Sequence, residues 1–247
     1  MASSPIISIP SHPNKPAWCT SEFTVPKSTQ MFFGRCDRVV SEWHSAFYAS
    51  KLERKDWFKI AQALLTPAFW TSNCTTNPAY TWYIGRIEET VERAKMESQC
   101  EKVHLVGHSA GGWLARAYLG GVACPATQGD RGAAKLVGPR HCDVRSLVSL
   151  GSPHLSPPAS APDMTRGTLR WVNEKWPGAH FMEEGVKYVC VTGRTVKGDA
   201  NAEKGTLSRY ASVSYSQVCG EGDTVEGDAV VPNSSAILQA NCAPLSK

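Results

Sequence analysis

Residues 102–121 read KVHLVGHSAGGWLARAYLGG, and the fold is decided here. The first five residues, Lys102 to Val106, are a compact β-branched and apolar run of the kind that forms a buried strand. From Ala110 to Leu119 the apolar spacing becomes helical, and Gly120 and Gly121 end it. Between them stands Gly107-His108-Ser109-Ala110-Gly111, a G-x-S-x-G sequence in the strand–turn–helix setting that exposes a serine at the top of a sheet.

A serine hydroxyl is a weak nucleophile until a base takes its proton, so this chemistry needs Ser109 on a tight turn within reach of other side chains. Gly107 and Gly111 leave room for the turn. The following helix aims its first amides at a developing oxyanion, with Ala110 N–H as one donor. His108 precedes the serine directly, and its side chain is expected to diverge from the hydroxyl and to play a packing or polar supporting role.

Outward from this centre, helical and strand patterns alternate. Trp57 to Leu65 reads as a short helix stopped by Pro67. Tyr80 to Gln99 reads as an amphipathic helix with Ile84, Ile87, Val91 and Ala94 on one face. Ser146–Leu150 and Val186–Thr192 read as buried parallel strands closed by glycine, with a helix near Arg166 to Lys175 between them. The alternation predicts an α/β fold: a mostly parallel sheet with helices on both faces. The Pro-rich stretch Ser156 to Pro162 reads as a pocket rim or a plain surface linker.

In α/β folds that use this turn, the acid follows the serine along the chain and the histidine comes last. Asp228, in CGEGDTVEGDAVVP (219–232), is the candidate acid, and Asp223 is its rival. All seven histidines (12, 44, 104, 108, 141, 154 and 180) precede Asp228. His154, in GSPH after the Ser146–Leu150 run, is therefore the candidate substitute base.

Seven collinear stretches carry a family resemblance over about Lys55 to Leu238: RKDWFKIAQALLTPAFW, TWYIGRIEETVERAK, VHLVGHSAGGWLARAYLG, LVSLGSPH, RWVNEKWPGA, VKYVCVTGR and SYSQVCGEGDTVEGDAVVPNSSAIL. The chain resembles the lipase-like α/β-hydrolases of plants and cyanobacteria, related to triacylglycerol lipases and to the lipase-like part of GPI inositol-deacylases. The resemblance implies Ser109 as nucleophile, Asp228 as triad acid, and an acyl ester or lipid substrate. It also implies a downstream histidine in a G-V-x-H-S-P-like segment and an early strand ending in a Pro-Gly loop that gives the second oxyanion donor. Neither is found in this sequence, so the last strand of the sheet is expected to be missing as well.

Two functions follow as expectations. One is a lipase or carboxylesterase-type hydrolase needing no metal or organic cofactor; an acyltransferase would use the same turn. The other is a truncated, catalytically impaired hydrolase-fold protein that binds lipid or protein.

Composition narrows the classes further. The chain has 247 residues, of which 42% are hydrophobic, enough for one sizeable core. The expected organisation is one incomplete hydrolase domain over 31–247. A net charge of +4 without a basic run gives no support to nucleic-acid binding. No apolar run reaches the eighteen or so residues of a membrane span, which leaves peripheral lipid contact. Nine scattered cysteines without a C-x-x-C pair read as reduced thiols in an intracellular protein. Residues 1–21 hold five serines, four prolines and no acid, so residues 1–30 read as a disordered or transit-like segment, with a plastid or cytoplasmic location.

Overall fold

The computed structural model describes residues 6–10, 48–49, 54–121, 123–124, 135–136, 139–158, 161 and 163–238. In chain order the elements are β1 (Ile6–Pro10), β2 (Tyr48–Ala49), a 3-10 helix (Arg54–Leu65), α1 (Pro67–Trp70), α2 (Thr81–Ser98), β3 (Val103–His108) and α3 (Ala110–Gly120). Then come β4 (Ala123–Cys124), β5 (Lys135–Leu136), β6 (Val144–Leu150), α4 (Thr168–Lys175), β7 (Lys187–Val191) and β8 (Val196–Lys197). The last three are α5 (Leu207–Cys219), β9 (Glu226–Gly227) and α6 (Asn233–Ala236).

Five strands form the main sheet in the order β2-β1-β3-β6-β7. β3, β6 and β7 run parallel, as the alternating pattern predicts. β1 and β2 correct the expectation of a mostly parallel sheet, because β1 pairs antiparallel with both β3 and β2. Within the segment 1–30, Ile6–Pro10 is a strand in register with Val103–Gly107, and the rest of that segment lies outside the described residues. The strand's Ile-Ile-Ser-Ile run has strand character, but only the pairing partner reveals it.

The residues predicted for the amphipathic helix are those it buries. Ile84, Ile87, Val91 and Ala94 on α2 are fully buried with Leu105, Leu114, Leu119, Leu147 and Val172 in one core. Tyr80 meets Trp113 edge-on at 5.0 Å between ring centroids, tying α2 to α3. Arg116 on α3, also fully buried, donates to Asn173 Oδ1 at 2.9 Å and to the Trp176 carbonyl at 2.6 Å, which fixes α4 against α3. Burial pushes its guanidinium down to about 10. Salt bridges join Lys95 to Asp143 and Arg140 to Glu88 and hold the start of β6 against α2.

Side chains alternate across a strand, so the register separates the two faces. Leu105, Leu147 and Tyr188 share the face packed by α2, α3 and α4. Val106, Val148 and Val189 share the other, where Val189 and its neighbour at the next turn of the pleat, Val191, are exposed. Among the described residues, the helices that build the core therefore lie on one face rather than both.

Two smaller readings change. Pro67 does not merely stop a helix. It opens α1 at its first position, where the missing N–H is harmless and the fixed φ suits the helix. α5, which the apolar periodicity does not announce, is capped by Thr206, whose hydroxyl accepts from Arg209 N–H, and is ended by Gly220.

Candidate functional site

Ser109 stands at the sharp junction of β3 and α3 with φ +52° and ψ −124°, a conformation rare for a residue with a Cβ. Two backbone bonds hold it there. Its N–H donates to the Leu150 carbonyl on β6 at 3.0 Å, and its carbonyl accepts from Gly112 N–H at 3.1 Å. Backbone strain of this kind persists only where the surroundings over-determine it. Ser109 and Ala110 are both half-buried. Ala110 heads α3, where first-turn amides have no acceptor within the helix.

Close backbone approach makes the turn. A Cβ on Gly107 would lie 2.6 Å from Gly111 C and Gly112 N, so strand and helix touch where only glycine fits. Ser152 closes the junction from the β6 side, its hydroxyl donating to the Gly107 carbonyl at 3.3 Å.

Asp228 reaches the same sheet edge from a distant part of the chain. Its Oδ1 accepts from Val230 N–H at 2.9 Å and Val231 N–H at 2.7 Å, which fixes the carboxylate. Its Oδ2 lies 2.6 Å from the place a Cβ on Gly151 would take, and Gly151, at φ +50°, immediately follows the Leu150 that holds Ser109. Its Cβ lies 3.0 Å from the corresponding place on Gly193, just beyond β7. The carboxylate therefore sits over the carboxyl ends of β6 and β7, and β6 is the neighbour of β3, which leads into Ser109.

The rival Asp223 is elsewhere. It is exposed and accepts from Ala200 N–H at 2.6 Å, closing a surface loop.

The sequence reading missed the support beneath Asp228. Tyr215 on α5 is fully buried; its hydroxyl donates to the Val196 carbonyl at 3.0 Å and accepts from Ala229 N–H at 2.8 Å. With Ala211 and Ala229 it forms a small second core that carries the acid loop. The available signal was Thr206 and Gly220 as start and stop residues thirteen positions of helix apart.

The histidines separate clearly. His108 is exposed; desolvation lowers it from the ordinary histidine value, while Asp228 pulls it back up. His104 is bonded to Ser146 Oγ at 2.6 Å. His141 stacks on Phe181, and His180 meets the same ring edge-on. His12 and His44 lie outside the described residues, as does any second oxyanion donor between residues 11 and 47.

His154 is not placed as a substitute base. Its ring is buried, with Nε2 3.0 Å from Ser149 Oγ and no hydrogen bond to Ser109, and its backbone N–H donates to the Ser235 carbonyl at 2.7 Å. Burial, with the Arg116 charge behind it, pushes the imidazole down to about 3. It is a neutral packing residue that joins α6 to β6.

This position gives a prediction for stability against pH. The folded pKa lies below the unfolded value of 6.5, so between the two the unfolded chain binds the extra proton. The stabilisation is complete above 6.5 and is lost as pH falls towards 3, by as much as about 5 kcal/mol. His104 and His108 are lowered too and act in the same direction. Thermal melts of the wild type and His154→Gln between about pH 7 and pH 4 check it. The melting temperature of the wild type is expected to fall further over this range than that of His154→Gln, and parallel slopes would contradict the assignment.

No helix among the described residues is long and apolar enough to cross a membrane. The Pro-rich stretch is placed only in part: Pro158 packs where a Cβ on Gly220 would stand, beneath the end of α5. No family model, curated protein or solved structure matches the chain.

Proposed function

We propose that the chain is a serine hydrolase of the lipase or carboxylesterase type, built on the α/β-hydrolase plan, with Ser109 as nucleophile and an acyl ester as substrate. The observation that supports this best is the strained Ser109 turn at a sheet edge shared with a fixed carboxylate, Asp228.

In this reading Ser109 Oγ forms a bond to the acyl carbon, and the carbonyl oxygen takes up negative charge beside Ala110 N–H. The hydroxyl proton passes to a base. Of the described histidines, His108, which adjoins Ser109 in the chain, is the one whose proton affinity Asp228 raises against the lowering by burial, and it is the candidate for that base. Collapse of the tetrahedral intermediate breaks the ester C–O bond, and the alcohol leaves with that proton. Water repeats the sequence on the acyl-serine and releases the acid.

A second reading is a non-catalytic lipid- or protein-binding module. It is favoured by one observation: among the described residues, no histidine hydrogen bonds to Ser109 Oγ. Release of p-nitrophenol from short and medium acyl esters separates the two. The hydrolase reading expects turnover by the purified chain above the spontaneous rate; its absence at every chain length favours the binding module.

A further inference from the structure

Ala229 stands between Asp228 and the two amides that hold its carboxylate, and it is strained. Its φ is +78°, in the left-handed region that a Cβ penalises. This turn is what the acid needs: it folds the chain back so that Val230 N–H and Val231 N–H both reach Asp228 Oδ1. Strain of this kind persists only where neighbours hold it.

The hold comes from α5 at two points. Ala229 is buried, and its N–H donates to the Tyr215 hydroxyl at 2.8 Å. That hydroxyl gives its own proton to the Val196 carbonyl at 3.0 Å, and Val196 pairs with Gly227, the residue before Asp228. One buried oxygen therefore ties the strand pair ahead of the acid to the strained residue behind it. A Cβ on Gly227 would lie 2.8 Å from this oxygen, so the glycine leaves the room that the hydroxyl occupies. The second point is Ser214, whose Oγ donates to the Val230 carbonyl at 2.9 Å.

We propose that Tyr215 is a positioning residue for the acid: its hydroxyl locks Ala229 in the left-handed conformation that keeps the Asp228 carboxylate over the carboxyl ends of β6 and β7. Without the hydroxyl a buried amide is left unpaired, and Ala229 relaxes towards negative φ. Val230 N–H and Val231 N–H then turn away from Oδ1, and the carboxylate leaves its place beside Gly151. The proposal rests on the hydrolase reading for what the carboxylate serves, whereas the carboxylate's position can be read without catalysis.

The test compares the full wild-type chain with Tyr215→Phe, Ala229→Gly, the double variant and Asp228→Asn. One readout is the NMR titration of His108, which the Asp228 charge holds up; His108→Gln identifies the signal. The other is ester turnover, resolved into kcat and KM. In Tyr215→Phe the His108 titration is expected to move to lower pH, part of the way to its place in Asp228→Asn. kcat should fall by about tenfold or more with KM unchanged. Adding Ala229→Gly should restore both in part, because glycine takes φ +78° without strain. A packing role alone predicts the reverse, since that change removes a buried methyl from the same small core. A folded Tyr215→Phe chain whose His108 titrates as in the wild type would overturn the proposal, and so would a double variant more impaired than Tyr215→Phe. Absence of turnover in the wild type would count against the hydrolase reading alone, and the His108 titration would still decide the role of Tyr215.

Discussion

Ser109→Ala is expected to lower ester turnover by about a thousandfold or more, to the level left by binding and oxyanion contacts alone. The size follows from the chemistry: without Oγ there is no atom to form the acyl bond, and His108 or Asp228 can only activate a nucleophile that is present. The same change should hardly disturb the fold. Ser109 is held through its backbone N–H and carbonyl, and no described residue hydrogen bonds to its hydroxyl. Alanine keeps the Cβ and therefore the strain at φ +52°. The stability change should stay within about 0.5 kcal/mol. Parallel rate and melting measurements check both halves, and turnover that survives in a folded Ser109→Ala protein would remove the serine from the mechanism.

Gly107→Ala is expected to act in the opposite way, on the fold first. Its new methyl would lie 2.6 to 2.7 Å from three backbone atoms of Gly111 and Gly112, all at the start of α3. Backbone cannot swing aside as a flexible side chain can, so β3 and α3 must separate. Overpacking of this kind costs about 3 kcal/mol, which for a chain of this size lowers the melting temperature by about 6–12 °C. The displacement would also break the Ser152 bond to the Gly107 carbonyl and move Ser109 from its place beside Leu150. An unchanged melting temperature would show that strand and helix are not in contact at this point.

The parts legible from residue order are those that local pattern controls. β3, the Ser109 turn and α3 follow from a change of period within residues 102–121, and the buried face of α2 follows from Ile84, Ile87, Val91 and Ala94. Distant partners settle the rest. Ile6–Pro10 is a five-residue run that follows one proline and ends on another, and only pairing with Val103–Gly107 makes it a strand. α5 buries Ala211, Ser212 and Tyr215, too small and polar a set to stand out as an apolar stripe.

The candidate site divides in the same way. Asp228 was preferred over Asp223 by family resemblance, and the geometry separates them through glycines that lie far from both in sequence. In the sequence His154 reads as a candidate base because nothing local shows that Ser149 and the α6 segment enclose it. Tyr215 carries no motif at all, and its importance appears only where its hydroxyl bridges Val196 and Ala229.

The most direct measurement is covalent labelling by a fluorophosphonate ester, read by intact mass and peptide mapping of the wild type and of His108→Gln. Attack by Ser109 Oγ displaces fluoride and leaves a phosphonyl group on that oxygen. The account predicts one adduct per chain, located on Ser109, none after unfolding, and slower labelling in His108→Gln. An intact, folded chain that takes up no label, or that is labelled at another residue, would contradict the reading of Ser109 as an activated nucleophile.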